Sequence, residues 1–480
     1  MSARPAKAPR EPMDSTDVAW LRMDSGTNLM VVNSVMLLAT PVTLQKLRQA
    51  VAARFLAFPR FRKRVVKHLA GASWEDDPAF DISRQVSAVP AGTVRGKKGL
   101  QRLVARLAMA PLDPSRPLWH IYLVPRYQGG SAVILRIHHC YADGIAMIRV
   151  LLAMTDASPG EEPPAVPPDS LKEHDDGAGR TSLLKTVGKA ADDTLHAAAD
   201  LWAGGLHAVS HPQETLGLAA AATETVKELI TSILSPADPP TRLHRPLTGV
   251  KQVAWAEPMP LADVRQVARA LGCTINDLLV SCAAGALRAY LIAQGDSVER
   301  LEFRAEVPVN MRPEDEDFSA LGNRFGLLLL DLPIGIENPF ERLFEVHRRM
   351  NVLKHSRQPI ASYLMLNAMG RLPEMVEKQM LNFFTTKATT VLTNVPGPGA
   401  PVYFAGSELA QLLFWVPQAG QVGIGISIFS YRGDVQIGLI TDEILVPDPA
   451  AVVKRFGSEF RALADRVRIP NKNDPGRRAA

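Results

Sequence analysis

Ala132-Val-Ile-Leu-Arg-Ile-His138-His139-Cys140-Tyr141-Ala142-Asp143-Gly144 is the stretch on which the reading of this chain turns. An apolar run from Ala132 to Ile137 leads into two adjacent histidines, and the helical spacing of Ile145, Ile148, Leu151 and Leu152 begins directly after Gly144. Period-two alternation places Val133, Leu135, Ile137 and His139 on one face of a strand, so the second histidine arrives, partly buried, at the end of a sheet. A neutral imidazole with an ordinary pKa of about 6.5 can take a proton from an alcohol or thiol at neutral pH. His139 is therefore the candidate general base, with His138 in support. Asp143 has two readings: it caps the next helix, or it orients an imidazole or accepts from an arginine. Gly144 reads as relief for a tight turn or as room for close backbone approach. Cys140 could be proposed as a nucleophile, against the plainer reading of a small packing residue.

Upstream, Pro117-Leu118-Trp119-His120 opens a strand running through Val124, and Gln128-Gly129-Gly130 turns it into the strand that ends at the histidines, an antiparallel hairpin. An earlier strand is expected from Asn28 to Leu38, and helices where Leu44, Leu47, Val51 and Phe55, then Leu100, Leu103, Val104 and Leu107, keep helical spacing. Between them, Phe58 to Val66 and Trp74 to Asp76 read as short strands and turns. From Ser158 to Gly179 the chain is crowded with Pro, Glu, Asp and Gly, a linker composition. The Ala-rich segment from Leu183 to Leu234 follows. It aligns Leu184, Val187, Ala191, Leu195, Ala198 and Trp202 on one helical face, either to rest on lipid or to connect two domains.

The second half restarts with a strand from Gln252 to Trp255 and a helix on Leu261, Val264, Val267 and Leu271. Thr274 and Asp277 form a capping-box pattern at the start of a strongly periodic helix. Within it, the amide of Asn276 is a neutral donor of the kind that can hold an oxyanion. Strands are expected at Leu301 to Val307, Phe325 to Leu332 and from Thr390 until the chain breaks into the turn chemistry of Asn394-Val-Pro-Gly-Pro398, and a last hairpin at Val422 to Phe429 and Val435 to Ile440. Helices are expected at Phe340 to Leu353, Tyr363 to Met369 and from Pro449 to about Val467. The organisation predicted is a disordered tail (1–12), a first domain bearing the motif (13–157), a linker with connecting helices (158–250), a second domain (251–468) and a disordered tail (469–480).

The 480 residues suit two domains of ordinary size, and 46% hydrophobic with 21% charged residues is globular composition. Four of the five net positive charges fall in the two tails. The folded part has no basic stripe with interleaved aromatics, which argues against a nucleic-acid partner. Three cysteines without metal spacing favour a reducing compartment. The N-terminus has no apolar core of signal type, and no run reaches about 18 uninterrupted apolar residues. A cytoplasmic protein is expected, at most resting on the inner membrane surface or on lipid inclusions. HExxH, GxSxG and GxGxxG patterns are absent from the sequence.

His138 to Gly144 resembles the HHxxxDG motif of the acyltransferase superfamily that includes chloramphenicol acetyltransferase, peptide-synthetase condensation domains and bacterial wax ester synthase/diacylglycerol acyltransferases. Pro117-Leu118-Trp119, Asn276-Asp277, Leu321-Gly322-Asn323-Arg324 and Asn394-Val395-Pro396-Gly397-Pro398 resemble further landmarks of the last family, in its order. The resemblance implies a mixed α/β fold of two chloramphenicol acetyltransferase-like domains with an active-site tunnel between them. It implies acyl-CoA as a substrate, no cofactor, and diacylglycerol or a long-chain alcohol as acceptor. It assigns His139 the base, His138 a supporting role, and Asp143 a structural ion pair for which Arg312 is the candidate partner. A carrier-dependent condensation enzyme and a non-catalytic lipid-surface protein are the alternatives.

Overall fold

Strand Gly130–His138 is buried along its whole length because it is a central strand, paired antiparallel with Val31–Leu38 on one side and Trp119–Tyr127 on the other. The computed structural model describes residues 10–68, 71–158, 231, 235–312 and 321–467. Its first sheet runs in the order Tyr403–Phe404, Ser407–Trp415, Val31–Leu38, Gly130–His138, Trp119–Tyr127, Val86–Ala88. On one face Val133, Leu135 and Ile137 pack with Leu47, Val51 and Phe55, where helix Leu44–Arg54 and the turn after it lie. On the other, Ala132 and Ile134 meet Leu100, Leu103, Val104 and Leu107 of helix Gly96–Ala108. The helical spacing read in both segments is thus the pattern of two one-sided helices covering one sheet.

The second sheet has the order Phe325–Leu332, Phe303–Asn310, Thr390–Pro396, Ile424–Tyr431, Asp434–Asp442, Lys251–Trp255, with Met259–Pro260 added beside Asp434–Asp442. One face, through Leu328, Leu330, Leu392, Ile426, Ile428, Ile437 and Leu439, packs under helix Ile275–Ala293. That helix in turn packs on Pro339–Lys354 and Pro449–Arg466. Among the described residues it is the one helix long and apolar enough to cross a membrane, and most of it is buried in this core. The other face turns toward the first sheet, and Phe414 meets Phe429 edge to face at 5.7 Å.

Several expectations are corrected here. The tail expected over 1–12 is ordered at its last residues: Glu11–Pro12 pairs with Gly71–Asp76, Arg10 binds Glu75, and Glu11 binds Lys63. The domain boundary at 251 does not hold for the sheets, because Tyr403–Phe404 and Ser407–Trp415 from the second half complete the first sheet beside Val31–Leu38. Phe58 to Val66 is the turn and short strand expected there, a 3-10 turn over Pro59–Arg62 followed by the strand Lys63–His68. Helix Glu374–Thr385 was not read from the sequence. The segment from Leu183 to Leu234, apart from Thr231, and the tail from 469 lie outside the described residues.

Besides the shared sheet, polar contacts tie the halves together. Asn28 donates to the carbonyls of Gly420 and Val422 and accepts from Lys251 at 2.5 Å. Burial lowers the Lys251 ammonium to about 8. Helix Ser15–Arg22 lies against helix Gln358–Met369, and a Cβ on Gly370 would run into the backbone of Ser15. Gly370→Ala is therefore expected to destabilise the protein by about 1–3 kcal/mol through overpacking at this seam, read as a lower midpoint in denaturant.

Candidate active site

His139 sits one residue beyond the strand, at the start of a short 3-10 turn over His139–Tyr141, so strand alternation alone does not set its side chain. Its backbone is clamped on both sides: the amide donates to Met30 O at 2.7 Å, and the carbonyl accepts from Asn323 Nδ2 at 2.9 Å. The ring stacks on Trp20, centroids 4.3 Å apart, and lies 5.7 Å from Phe325. Only 6% of the residue is exposed, and burial lowers its pKa from 6.5 to about 4, against the opposing charge of Asp143. The imidazole is therefore neutral at pH 7. Nδ1 is buried without a hydrogen bond, as is Asn323 Oδ1. The Asn323 side chain favours the protonated ring.

His138 is engaged through both nitrogens. Nδ1 accepts from the Cys140 amide at 3.1 Å, which fixes the proton on Nε2, and Nε2 donates to Asp24 Oδ2 at 3.3 Å. The other Asp24 oxygen accepts from Met30 N at 2.6 Å. Burial would raise the Asp24 carboxyl, but the bonds from His138 and Met30 hold it below the ordinary carboxylate range. Cys140 is fully buried, which pushes its thiol well above the ordinary value and removes it as a nucleophile.

Both readings of Asp143 hold at once because its two oxygens divide the work. Oδ1 accepts from Ala146 N at 2.9 Å and caps helix Gly144–Ala153. Oδ2 accepts from Arg312 Nε and Nη2, at 3.2 and 2.9 Å, and from Arg324 N at 2.9 Å. Arg312 and Asp143 are buried, and Arg312 also binds the carbonyl of Gly322. For Gly144, φ is not in the left-handed region and a Cβ there would meet nothing within 4 Å, so the turn itself does not require glycine, while the space beside it stays open to close approach. No protein atom demands glycine at this helix start.

The segment Leu321 to Arg324, noticed in the sequence without a role, proves to be the other wall of the motif. Ala142 and Gly322 form a bridge, with Gly322 N donating to Tyr141 O at 3.0 Å and Asp143 N to Gly322 O at 3.2 Å. Gly322 adopts φ +106°, a conformation that favours glycine. Asn323 receives Asp17, which accepts from its amide N and Nδ2 at 3.0 and 2.9 Å, and burial pushes the Asp17 carboxyl to about 7. Pro117-Leu118-Trp119 is likewise explained. Tyr141 Oη accepts from Leu118 N and donates to Lys63 O, and Trp119 Nε1 donates to Phe61 O.

Among the described residues Asn276 makes no hydrogen bond to the motif. Thr274 and Asp277 make the full capping box, and Asp277 also binds His347 at 2.7 Å. Asn276 Oδ1 accepts from Asn394 Nδ2 at 3.1 Å, so two of the sequence landmarks meet each other and neither contacts His139. A cavity of about 700 Å3 lined by Gly335, Glu337, Phe340 and Arg466 contains none of these residues. Among the described residues no cluster of three or more His, Cys, Asp or Glu is placed to hold a metal.

A buried Asp–Arg pair lies under an HHxxxDG turn at the seam of two sheets, and the fold around it is that of the condensation-domain class. Solved structures share the fold. A wax ester synthase/diacylglycerol acyltransferase from Marinobacter aquaeolei VT8 matches with TM-score 0.65 at 21% identity, covering 95% of this chain and 100% of that one. The first condensation domain of the calcium-dependent antibiotic synthetase matches with TM-score 0.58 at 14% identity, covering 96% of this chain and 97% of that one. In sequence, a probable diacylglycerol O-acyltransferase of Mycobacterium tuberculosis is 28% identical over 420 residues, 84% of each chain. The family model for the wax ester synthase/diacylglycerol acyltransferase catalytic domain matches residues 13–279, and that for the WS/DGAT C-terminal domain matches residues 321–464. The chain belongs to the wax ester synthase/diacylglycerol acyltransferase family and is an acyltransferase.

Arg312→Met strands a buried carboxylate and is expected to cost about 3–5 kcal/mol of stability, with Arg312→Lys unable to restore the paired geometry. Denaturant unfolding of both variants checks this. Gly144→Ala should leave the midpoint unchanged or slightly higher, since alanine is the better helix residue by up to about 1 kcal/mol. A loss of turnover in a folded Gly144→Ala protein would place substrate in the space beside the helix start.

Proposed function

We propose that this enzyme transfers a long-chain acyl group from acyl-CoA to the hydroxyl of diacylglycerol or a long-chain alcohol, forming triacylglycerol or wax ester, with His139 as general base. One observation carries the assignment of the base: both nitrogens of His138 are hydrogen-bonded, whereas Nε2 of the neutral His139 makes no hydrogen bond to any described residue. Nε2 removes the acceptor proton as the hydroxyl oxygen bonds to the thioester carbon, and the carbonyl electron pair moves onto oxygen. Collapse of that intermediate breaks the C–S bond, and the proton on Nε2 passes to the departing sulfur. CoA leaves as the thiol and the ring returns to its resting state. Only a proton and an acyl group move, so the scheme calls for no cofactor.

Asn323 is the positioning residue in this scheme, since its Oδ1 is available to Nδ1–H when the ring becomes charged. Asp143 holds the turn and takes no proton. Asn276 supplies a donor for the oxyanion: Asn394 occupies its oxygen, which leaves Nδ2 free. The mycobacterial relative's name supports diacylglycerol as the favoured acceptor. Because both acceptors partition into lipid, the enzyme works against a membrane or lipid-inclusion surface.

The deciding experiment is thiol release from palmitoyl-CoA with hexadecanol, with dipalmitoylglycerol and with no acceptor, followed by chromatography of the lipids. Acceptor-dependent release with the matching ester is expected; release without acceptor would indicate a thioesterase instead. His139→Ala should lower kcat by about 10²–10⁴ in a folded protein, and near-normal turnover would refute the base. Asn276→Ala should cost about 10²–10³ in kcat, and a change under about twofold would move the oxyanion donor elsewhere. Because the folded pKa of His139 is about 4, its base form persists well below pH 6.5, so the acid limb of kcat/KM belongs near 4. Between those two values the unfolded chain binds the proton more readily, so this residue's contribution to stability falls as the pH drops through that window.

A further inference from the structure

The face of the second sheet that turns toward the first carries a row of buried polar groups that the scheme above does not use. Thr393 and Ser427 are direct neighbours on strands Thr390–Pro396 and Ile424–Tyr431, and Ser427 is opposite Gly438 on the next strand. Trp415 Nε1 lies over that glycine, 3.0 Å from where a Cβ would stand. All three side chains are at least 98% buried, and Thr393 Oγ1, Ser427 Oγ and Trp415 Nε1 have no hydrogen-bond partner. Such groups are costly to leave unpaired in a protein interior, and three in one row are not a scatter of accidents.

Their neighbours show where the row leads. Two residues along the same face, about 7 Å at strand spacing, are Val395 and Phe429, which belong with Phe325 and Trp20 to one apolar cluster. Phe325 and Trp20 are the rings against His139. In the other direction the next pair is Val391 and Gly425, beside Ile440. The row is therefore one strand-repeat from Val395 and Phe429, which share an apolar cluster with the rings around the base, and it is flanked by the buried side chains of Gln436, opposite Phe429, and Gln418, at Gly425. All three groups of the row can donate, Trp415 Nε1 can only donate, and a carbonyl oxygen is a partner that each of them can serve.

We propose that Thr393, Ser427 and Trp415 Nε1 form a carbonyl-binding subsite that receives an ester carbonyl of a glyceride acceptor while its free hydroxyl lies at His139. This rests on the acyltransferase reading. A diacylglycerol carries its ester carbonyls a few bonds from the attacking hydroxyl, whereas a long-chain alcohol has nothing to offer the row. The subsite thus discriminates between the two acceptor classes. The amide carbonyls of the pantetheine arm of acyl-CoA share the same chemistry, and the two sources separate by experiment, because the arm is common to both reactions.

The test is Thr393→Val, Ser427→Ala and the double variant, with palmitoyl-CoA and either dipalmitoylglycerol or hexadecanol. The ratio of kcat/KM for dipalmitoylglycerol to that for hexadecanol should fall about tenfold in the double variant. Its melting temperature should equal or exceed wild type, because unpaired buried hydroxyls have been removed. An unchanged ratio overturns the proposal, whether activity is retained or lost equally with both acceptors; equal loss would assign the row to the pantetheine arm. A second readout needs no turnover: 1,2-dioctanoylglycerol should raise the melting temperature of wild type more than that of the double variant, and equal shifts overturn the subsite. Wild-type turnover of hexadecanol reports the acyltransferase reading separately.

Discussion

The buried pair of Asp143 and Arg312 is the constraint on which the site depends. It joins the motif loop of the first half to the end of a strand in the second, and Arg312 reaches across to Gly322 as well. Two charges withdrawn from water are tolerable only when each remaining lone pair and proton is matched. That is why Asp143 also takes the amides of Ala146 and Arg324. The consequence is geometric: the turn carrying His139 cannot shift without uncovering a charge. Asp143 is thus wholly occupied by structure, as cap on one oxygen and ion-pair partner on the other.

The second consequence is a dry histidine. His139 lies between Trp20 and Phe325, and its neutral state at pH 7 follows from burial rather than from any partner. His138 shows the contrast, since the same residue type one position earlier is consumed by the Cys140 amide and Asp24. Adjacent residues at a strand end point in different directions, and the hydrogen bonds each finds decide which one keeps a nitrogen for substrate. The Asp17, Asn323 and His139 backbone chain then carries the second half's loop onto His139.

Much of this was legible in the order of residues. The hairpin into the histidines, the helix after Gly144, the capping box at Thr274 and Asp277, and the last hairpin all follow local rules of period and capping, which act over a few residues. The same rules mislead where partners are distant. Strand Ser407–Trp415 went unread because its value is as a neighbour of Val31–Leu38, some 370 residues away in sequence. Gly144 read as relief for a tight turn or as room for close approach, and only the structure shows that nothing of the protein stands beside it. Asn323 was visible as part of a landmark, but its role lies in contacts to Asp17 and to the backbone of His139.

The sequence by itself determined the superfamily motif, the identity of the candidate base and the one-sided patterns of the covering helices, because these are encoded in neighbouring residues. Only the tertiary structure decided that the two halves share a sheet, that Asp143 is both cap and ion-pair partner, that His138 is tied while His139 is free, and that unpaired donors line the seam. Each of these depends on atoms brought together from opposite ends of the chain, where burial removes water as an alternative partner and leaves the protein's own geometry to choose.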